Sequence, residues 1–157
     1  MLGEGLIRLF KGLRDCRWLT WLTVFLCLAT HAGIDAMTVY GTRLFWPFYP
    51  DPVGVGSVFI IDPLYTLPLL AGCLAFLYRP PASRTVAAGL LVSSLYLGWT
   101  LIAQQIITDR VRPALANAGM EQAALMVQPM PFNTVLWRAT AVSAGQRIEV
   151  VTGFLDA

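Results

Sequence analysis

Two ionisable side chains stand four residues apart inside an apolar stretch of this sequence. His31 and Asp35 both lie within residues 18–37. Residues at positions i and i+4 project from one face of a helix, so an imidazole nitrogen and a carboxylate oxygen can reach one cation. An ionisable side chain at membrane depth costs roughly 2.5–3.5 kcal/mol, which a metal ion would offset. The pair therefore predicts a metal site, and a His–Asp hydrogen bond that only fixes helix packing is the alternative.

A further acidic residue occupies a matching position in the next apolar stretch. Asp62 stands near the start of residues 58–78, at the same expected depth as His31 and Asp35. Three carboxylate or imidazole groups at one depth predict a converging cluster that holds a divalent metal. Asp62 also precedes Pro63, and Asp followed by Pro is a common helix start. A role as the N-cap of a helix is therefore the alternative for Asp62.

One basic residue accompanies this candidate cluster. Arg43 follows the first apolar stretch and has Trp46 and Phe48 close by in sequence. Its guanidinium could hold an anionic leaving group by a bidentate contact, a catalytic role beside a metal. The same pattern is typical of an interfacial anchor in an aromatic belt, and this alternative stays open. The single His leaves no spare base for a Ser or Cys triad, so a catalyst here would use a metal.

The composition indicates the solvent that these residues meet. Of the 157 residues, 57% are hydrophobic and 13% are charged, whereas roughly 25% are charged in an ordinary soluble domain. These values predict a membrane protein. The net charge of +2 is too small for a nucleic-acid footprint, so direct nucleic-acid binding is not expected. The three cysteines lack C-x-x-C spacing and are interpreted as packing residues.

Three apolar stretches position the candidate site, namely residues 18–37, 58–78 and 85–107. Each has about 20 residues, enough to cross a hydrocarbon core of about 30 Å. The expected fold class is an all-α membrane protein with about three transmembrane helices and a small extramembrane tail. Basic residues concentrate before the first stretch and between the second and third. The positive-inside rule therefore places the N-terminus in the cytoplasm and the tail outside the cell membrane.

We therefore expect three parts in the chain. Residues 1–17 form a cytoplasmic segment, residues 18–107 form a membrane region with an outer loop at 41–57, and residues 108–157 form an extracytoplasmic tail. The first segment has leucines at near-helical spacing among basic residues, which predicts a helix on the membrane surface. A cleaved signal peptide is its alternative. In the tail, Pro113 predicts a kink or a new helix start, and residues 134–142 and 147–154 have the composition of a β-hairpin.

Three motifs in this order carry a family resemblance: THAGIDAMTVYGTRLFWPF at residues 30–48, FIIDPLYTLPLL at 59–70 and MPFNTVLWR at 130–138. The chain resembles the YdjM-like family of bacterial inner-membrane metal-dependent hydrolases, also described as LexA-binding. The resemblance implies that His31 and Asp35 are the HxxxD metal ligands of the family, and that Asp62 is the acid of its IDPL motif. It also implies an N-terminal HRGxTHS-type motif, which this sequence does not contain.

The leading hypothesis is a multi-pass inner-membrane hydrolase with a divalent metal, zinc or manganese, at the outer membrane interface. Its substrate would be an ester or phosphoester, of a lipid-like kind because of the depth of the site. Membrane lipid and a protein partner or second copy are the expected partners. The alternative is a non-catalytic membrane anchor or interaction protein whose polar residues only hold helices together. A small channel subunit is a third, weaker interpretation, since one polar cluster forms a pore only on oligomerisation.

Overall fold

The computed structural model describes residues 17–78, 83–143 and 145–156. In this part of the chain three helices precede three strands: α1 (Arg17–Met37), α2 (Pro63–Tyr78), α3 (Ser83–Asn117), β1 (Ala124–Pro129), β2 (Leu136–Ser143) and β3 (Gln146–Gly153). The strands form an antiparallel sheet in the order β1-β2-β3. The surface helix expected over residues 1–17 falls almost entirely outside the described residues.

The expected all-α class with about three transmembrane helices is wrong. Among the described residues, two helices, α1 and α3, are long and apolar enough to cross a membrane. Helix α2 is apolar but has only 16 residues, a length of about 24 Å at 1.5 Å per residue. The helix is shorter than the apolar stretch of residues 58–78 because the first residues of that stretch are extended. Val58 pairs with Thr38 as an isolated β-bridge, and the helix begins at Pro63.

Small residues bring α2 and α3 into close contact. A Cβ atom added at Gly89 of α3 would lie 2.4 Å from the carbonyl oxygen of Pro68 in α2. A Cβ atom at Gly72 of α2 would lie 3.2 Å from the carbonyl oxygen of Thr85. Backbones approach this closely in membrane helix pairs when the contact residues are small. The two glycines therefore set the separation of α2 and α3.

Helix α3 continues well past the apolar stretch and carries the sheet. It runs for 35 residues and passes through Pro113 without ending, so the new helix start expected at that proline is absent. Four buried apolar residues follow one another at four-residue spacing along its C-terminal half, Ala103, Ile107, Val111 and Leu115. Residues at this spacing lie on one face of a helix. This stripe is the half of the hydrophobic core that α3 contributes.

The sheet supplies the other half of this core. On β2, Trp137, Ala139 and Ala141 are buried, while the residues between them are half-exposed, as the two-residue period of a strand requires. The Trp137 ring is fully buried, and its Nε1 donates to the Thr134 carbonyl oxygen at 2.8 Å. The two segments expected to form a hairpin do pair, as β2 and β3, and β1 adds a third strand.

The outer loop is attached to both α1 and α3. Val55 N donates to the Ala36 carbonyl at 2.8 Å, which joins the loop to the end of α1. The Gln104 side-chain amide of α3 donates to the carbonyl oxygens of Val55 and Val127, each at 2.8 Å. One side chain thus joins the loop, α3 and β1. The loop and the sheet consequently lie at the same end of the helices.

We expect Gly89→Ala to lower the free energy of unfolding by about 1–3 kcal/mol, because the new methyl group would overlap the Pro68 carbonyl. Thermal unfolding of the detergent-purified protein measures the change. Gly98→Ala on the same helix is the matched control, since a Cβ atom there has no neighbour within 4 Å. Equal melting temperatures for the two variants would contradict close packing of α2 on α3.

Candidate functional site

His31 and Asp35 lie on the last two turns of α1, which ends at Met37. The Nε2 atom of His31 is 3.5 Å from Oδ2 of Asp35, and the two side chains are 76% and 46% exposed. The helical spacing therefore brings the two groups together, as the sequence predicted. Their separation is at the long limit for a direct hydrogen bond. The described residues cover Asp35 in part and His31 little, and on α1 they bury only Thr20 and Ala36.

Asp62 occupies a different environment from this pair. Its side chain is only 2% exposed. Oδ1 accepts hydrogen bonds from the backbone N–H groups of Leu64 at 2.9 Å and Tyr65 at 3.4 Å. Oδ2 accepts from the Tyr96 hydroxyl at 2.6 Å. Asp62 is therefore the N-cap of α2, the alternative that its position before Pro63 suggested.

The expected convergence of His31, Asp35 and Asp62 is not found. Across residues 17–78, 83–143 and 145–156, no group of three His, Cys, Asp or Glu side chains is placed to hold a metal ion. The reason is physical: the buried Asp62 carboxylate has both oxygens occupied by donors from α2 and α3. Metal binding by His31 and Asp35 stays a prediction that rests on the pair alone.

Arg43 lies in the outer loop with its side chain exposed. Its carbonyl oxygen accepts from Trp46 N at 3.3 Å, so the backbone turns here. The neighbouring Phe45, Trp46 and Phe48 are at least 60% exposed. Such a cluster of uncovered aromatic side chains after a membrane helix is typical of an interfacial belt. Both interpretations of Arg43, as an anchor and as a ligand for an anion, remain predictions.

Sequence reasoning missed the polar residues of α3 that hold Asp62 and the start of α2. Besides Tyr96, the buried Ser93 hydroxyl donates to the Tyr65 carbonyl oxygen at 2.8 Å. A signal was present, because Ser93, Tyr96 and Thr100 recur every three or four residues in an otherwise apolar stretch. Such a stripe marks a helix face that contacts protein rather than lipid.

Comparison with known protein families gives a match over the helical part of the chain. The family profile described as YdjM inner membrane protein matches residues 1–107. These residues include all three helix starts, the His31 and Asp35 pair and Asp62, and they end before the sheet. No curated protein and no solved structure matches the chain.

We expect Tyr96→Phe to lower the free energy of unfolding by about 1–3 kcal/mol, because the buried Asp62 carboxylate would lose one of its donors. Chemical denaturation in detergent micelles gives this value. Tyr78→Phe provides the control, since the Tyr78 side chain at the end of α2 is 82% exposed. Unchanged stability in Tyr96→Phe would show that the hydrogen bond between Tyr96 and Asp62 does not hold α2 on α3.

Proposed function

We propose that this chain, which belongs to the YdjM inner membrane protein family, is a metal-dependent hydrolase that acts on an ester or phosphoester at the outer membrane interface. The observation that carries the proposal is the 3.5 Å separation of His31 Nε2 and Asp35 Oδ2 near the end of a helix apolar enough to cross a membrane. An exposed imidazole and carboxylate in such a helix need a compensating group.

The donor atoms of this pair fit part of a divalent-metal site. Ligand nitrogen and oxygen atoms lie about 2.1 Å from zinc, so two of them in a tetrahedral arrangement are about 3.4 Å apart. The observed separation of 3.5 Å agrees with this distance. One imidazole and one carboxylate fill two positions, whereas a catalytic zinc site usually has three protein ligands and a water. The remaining positions are left for water, substrate oxygen or a further protein ligand.

Within this proposal each residue has a defined task. His31 and Asp35 hold the metal, and Asp62 keeps the start of α2 against α3 rather than binding the metal. What a divalent metal supplies there is polarisation of the ester bond and a lowered pKa for the water beside it. Arg43, exposed in the loop that follows α1, binds the anionic part of the substrate.

The position of the pair supports a lipid-like substrate and an extracytoplasmic site. His31 and Asp35 precede the end of α1 by fewer than two turns, and exposed aromatic residues follow in the loop. We place the N-terminus in the cytoplasm and the loop and tail outside, following the distribution of basic residues. The contacts of Gln104 with both the loop and β1 support a common side for these two parts.

A non-catalytic interaction protein is the second candidate. It is favoured by the absence of a three-residue metal cluster within the described ranges. It is also favoured by the small sheet that α3 carries beyond its apolar part. In that function the pair on α1 would hold a partner helix, and the sheet would form the extramembrane surface.

We expect the detergent-purified protein to retain metal after equilibration with Zn²⁺ or Mn²⁺. His31→Ala should bind the metal about 100-fold more weakly, because loss of a ligand costs at least as much as loss of a group that orients one. Elemental analysis after gel filtration measures the metal content. Asp51→Asn, which changes an exposed carboxylate in the outer loop, is the control and should behave as the wild type. Hydrolysis of a chromogenic phosphodiester is then compared in the same three proteins.

Negligible metal in the wild type and in His31→Ala alike would refute the hydrolase and leave the interaction protein. Retained metal without loss in His31→Ala would place the metal elsewhere.

A further inference from the structure

A cavity of about 260 Å³ lies where the outer loop meets the sheet. Tyr40, from the segment after α1, and Phe59 and Ile60, from the segment before α2, form one side. Gln128 of β1 and Arg138 of β2 form the other. The cavity therefore combines an apolar wall with amide, guanidinium and phenol groups, and no acidic side chain lines it.

The segment that connects β1 to β2 is shaped to build this cavity. Asn133 Oδ1 accepts from the backbone N–H groups of Val135 and Leu136, at 3.0 and 2.8 Å. Phe132 has a φ of +64°, a conformation that costs a non-glycine residue of order 1 kcal/mol or more. This turn presents the Phe132 ring edge-on to Phe59, with ring centroids 5.6 Å apart. The connecting segment is thus fixed against the apolar wall of the cavity.

On the polar side of the cavity, N–H groups of Gln128 and Arg138 have no hydrogen-bond acceptor among the described residues. Gln128 and Arg138 are direct partners across β1 and β2, so their side chains stand on the same face of the sheet. Arg138 Nε is 3.0 Å from Oε1 of Glu149, yet this contact lacks the angles of a hydrogen bond. The other guanidinium N–H groups of Arg138 and the Gln128 amide make no hydrogen bond to the described residues. Arg147 also contacts Glu149, at 3.2 Å, so the three charged groups sum to a net positive charge.

The cavity opens beside the C-terminal end of α1 and the N-terminal end of α2. Val39 and Tyr40 follow the end of α1 by two and three residues, and Ile60 precedes the start of α2 by three. Tyr40, Ile60 and Ile61 are more than half exposed, which gives the rim an uncovered apolar surface. An anion bound between Gln128 and Arg138 would therefore have apolar surface beside it that leads toward the bilayer.

We propose that this cavity binds an anionic phospholipid, with the phosphate on Arg138 and Gln128 and the start of an acyl chain along Phe59 and Ile60. Guanidinium groups bind phosphate by paired charge-assisted hydrogen bonds. The apolar wall favours an amphiphile over a free phosphate, because a free phosphate would leave this wall in contact with water. The site is separate from the His31 and Asp35 pair and does not depend on metal binding there.

Native mass spectrometry of the delipidated protein in detergent tests the proposal, with phosphatidylglycerol and phosphatidylcholine of identical chains as probes. We expect phosphatidylglycerol to bind more tightly, and Arg138→Gln to weaken it about tenfold. Arg147→Gln is the matched control, since it removes the same charge beside the same glutamate but does not line the cavity. Ile60→Trp should also weaken binding by filling the cavity, at a side chain exposed enough to leave the fold intact.

Three results would overturn the assignment. An equal loss of phosphatidylglycerol affinity in Arg138→Gln and Arg147→Gln would show that the lipid responds only to the positive charge of the surface. Equal binding of the two lipids would contradict a site for an anionic lipid, because both carry a phosphodiester and only phosphatidylglycerol has a net negative charge. Inorganic phosphate that competes at the concentration of the lipid itself would indicate a free-phosphate site. If Arg138→Gln does not fold, Ile60→Trp tests the proposal by itself. Lipid binding as tight as in the wild type would then contradict a lipid site in this cavity.

Discussion

The buried carboxylate of Asp62 is the constraint on which the membrane part of this protein depends. A charged group removed from water costs several kcal/mol unless hydrogen bonds replace its hydration. Asp62 receives two backbone N–H groups of α2 and the hydroxyl of Tyr96 from α3. These bonds determine where α2 begins. They also hold that start against α3, where Ser93 adds a hydrogen bond to the Tyr65 carbonyl.

The long α3 helix joins the membrane part to the sheet. Its N-terminal half packs on α2 through Gly89, and its C-terminal half presents the stripe from Ala103 to Leu115 to the sheet. Gln104 stands between these halves and bonds both the outer loop and β1. The sheet lies within residues 124–153, and a unit of fewer than about 40 residues usually has too small a core to be stable alone. The sheet therefore depends on α3 for the apolar surface that it covers.

Asp62 and the His31–Asp35 pair differ in how their polar atoms are compensated. Asp62 is enclosed and has its hydrogen-bonding capacity filled by the chain itself, which gives it a structural role. The side chains of His31 and Asp35 have only each other as partners among the described residues, and they are 76% and 46% exposed. Unsatisfied polar groups in an apolar helix are the ones available to a ligand. The proposed chemistry is therefore assigned to the pair on α1 and not to the third acidic residue.

Local patterns in the sequence determined the position and type of most elements. These elements depend on residues that are close in the chain. Examples are the apolar stretches, the one-turn spacing of His31 and Asp35, the helix start at Asp62-Pro63 and the pairing of the two C-terminal strands. The structure decided what depends on distant residues. In the structure α2 is shorter than expected and β1 joins the sheet. The Asp62 carboxylate accepts a hydrogen bond from Tyr96, 34 positions along the chain, and does not join His31. A buried carboxylate binds whichever donors the packed helices bring to it, and sequence spacing within one helix does not specify those donors.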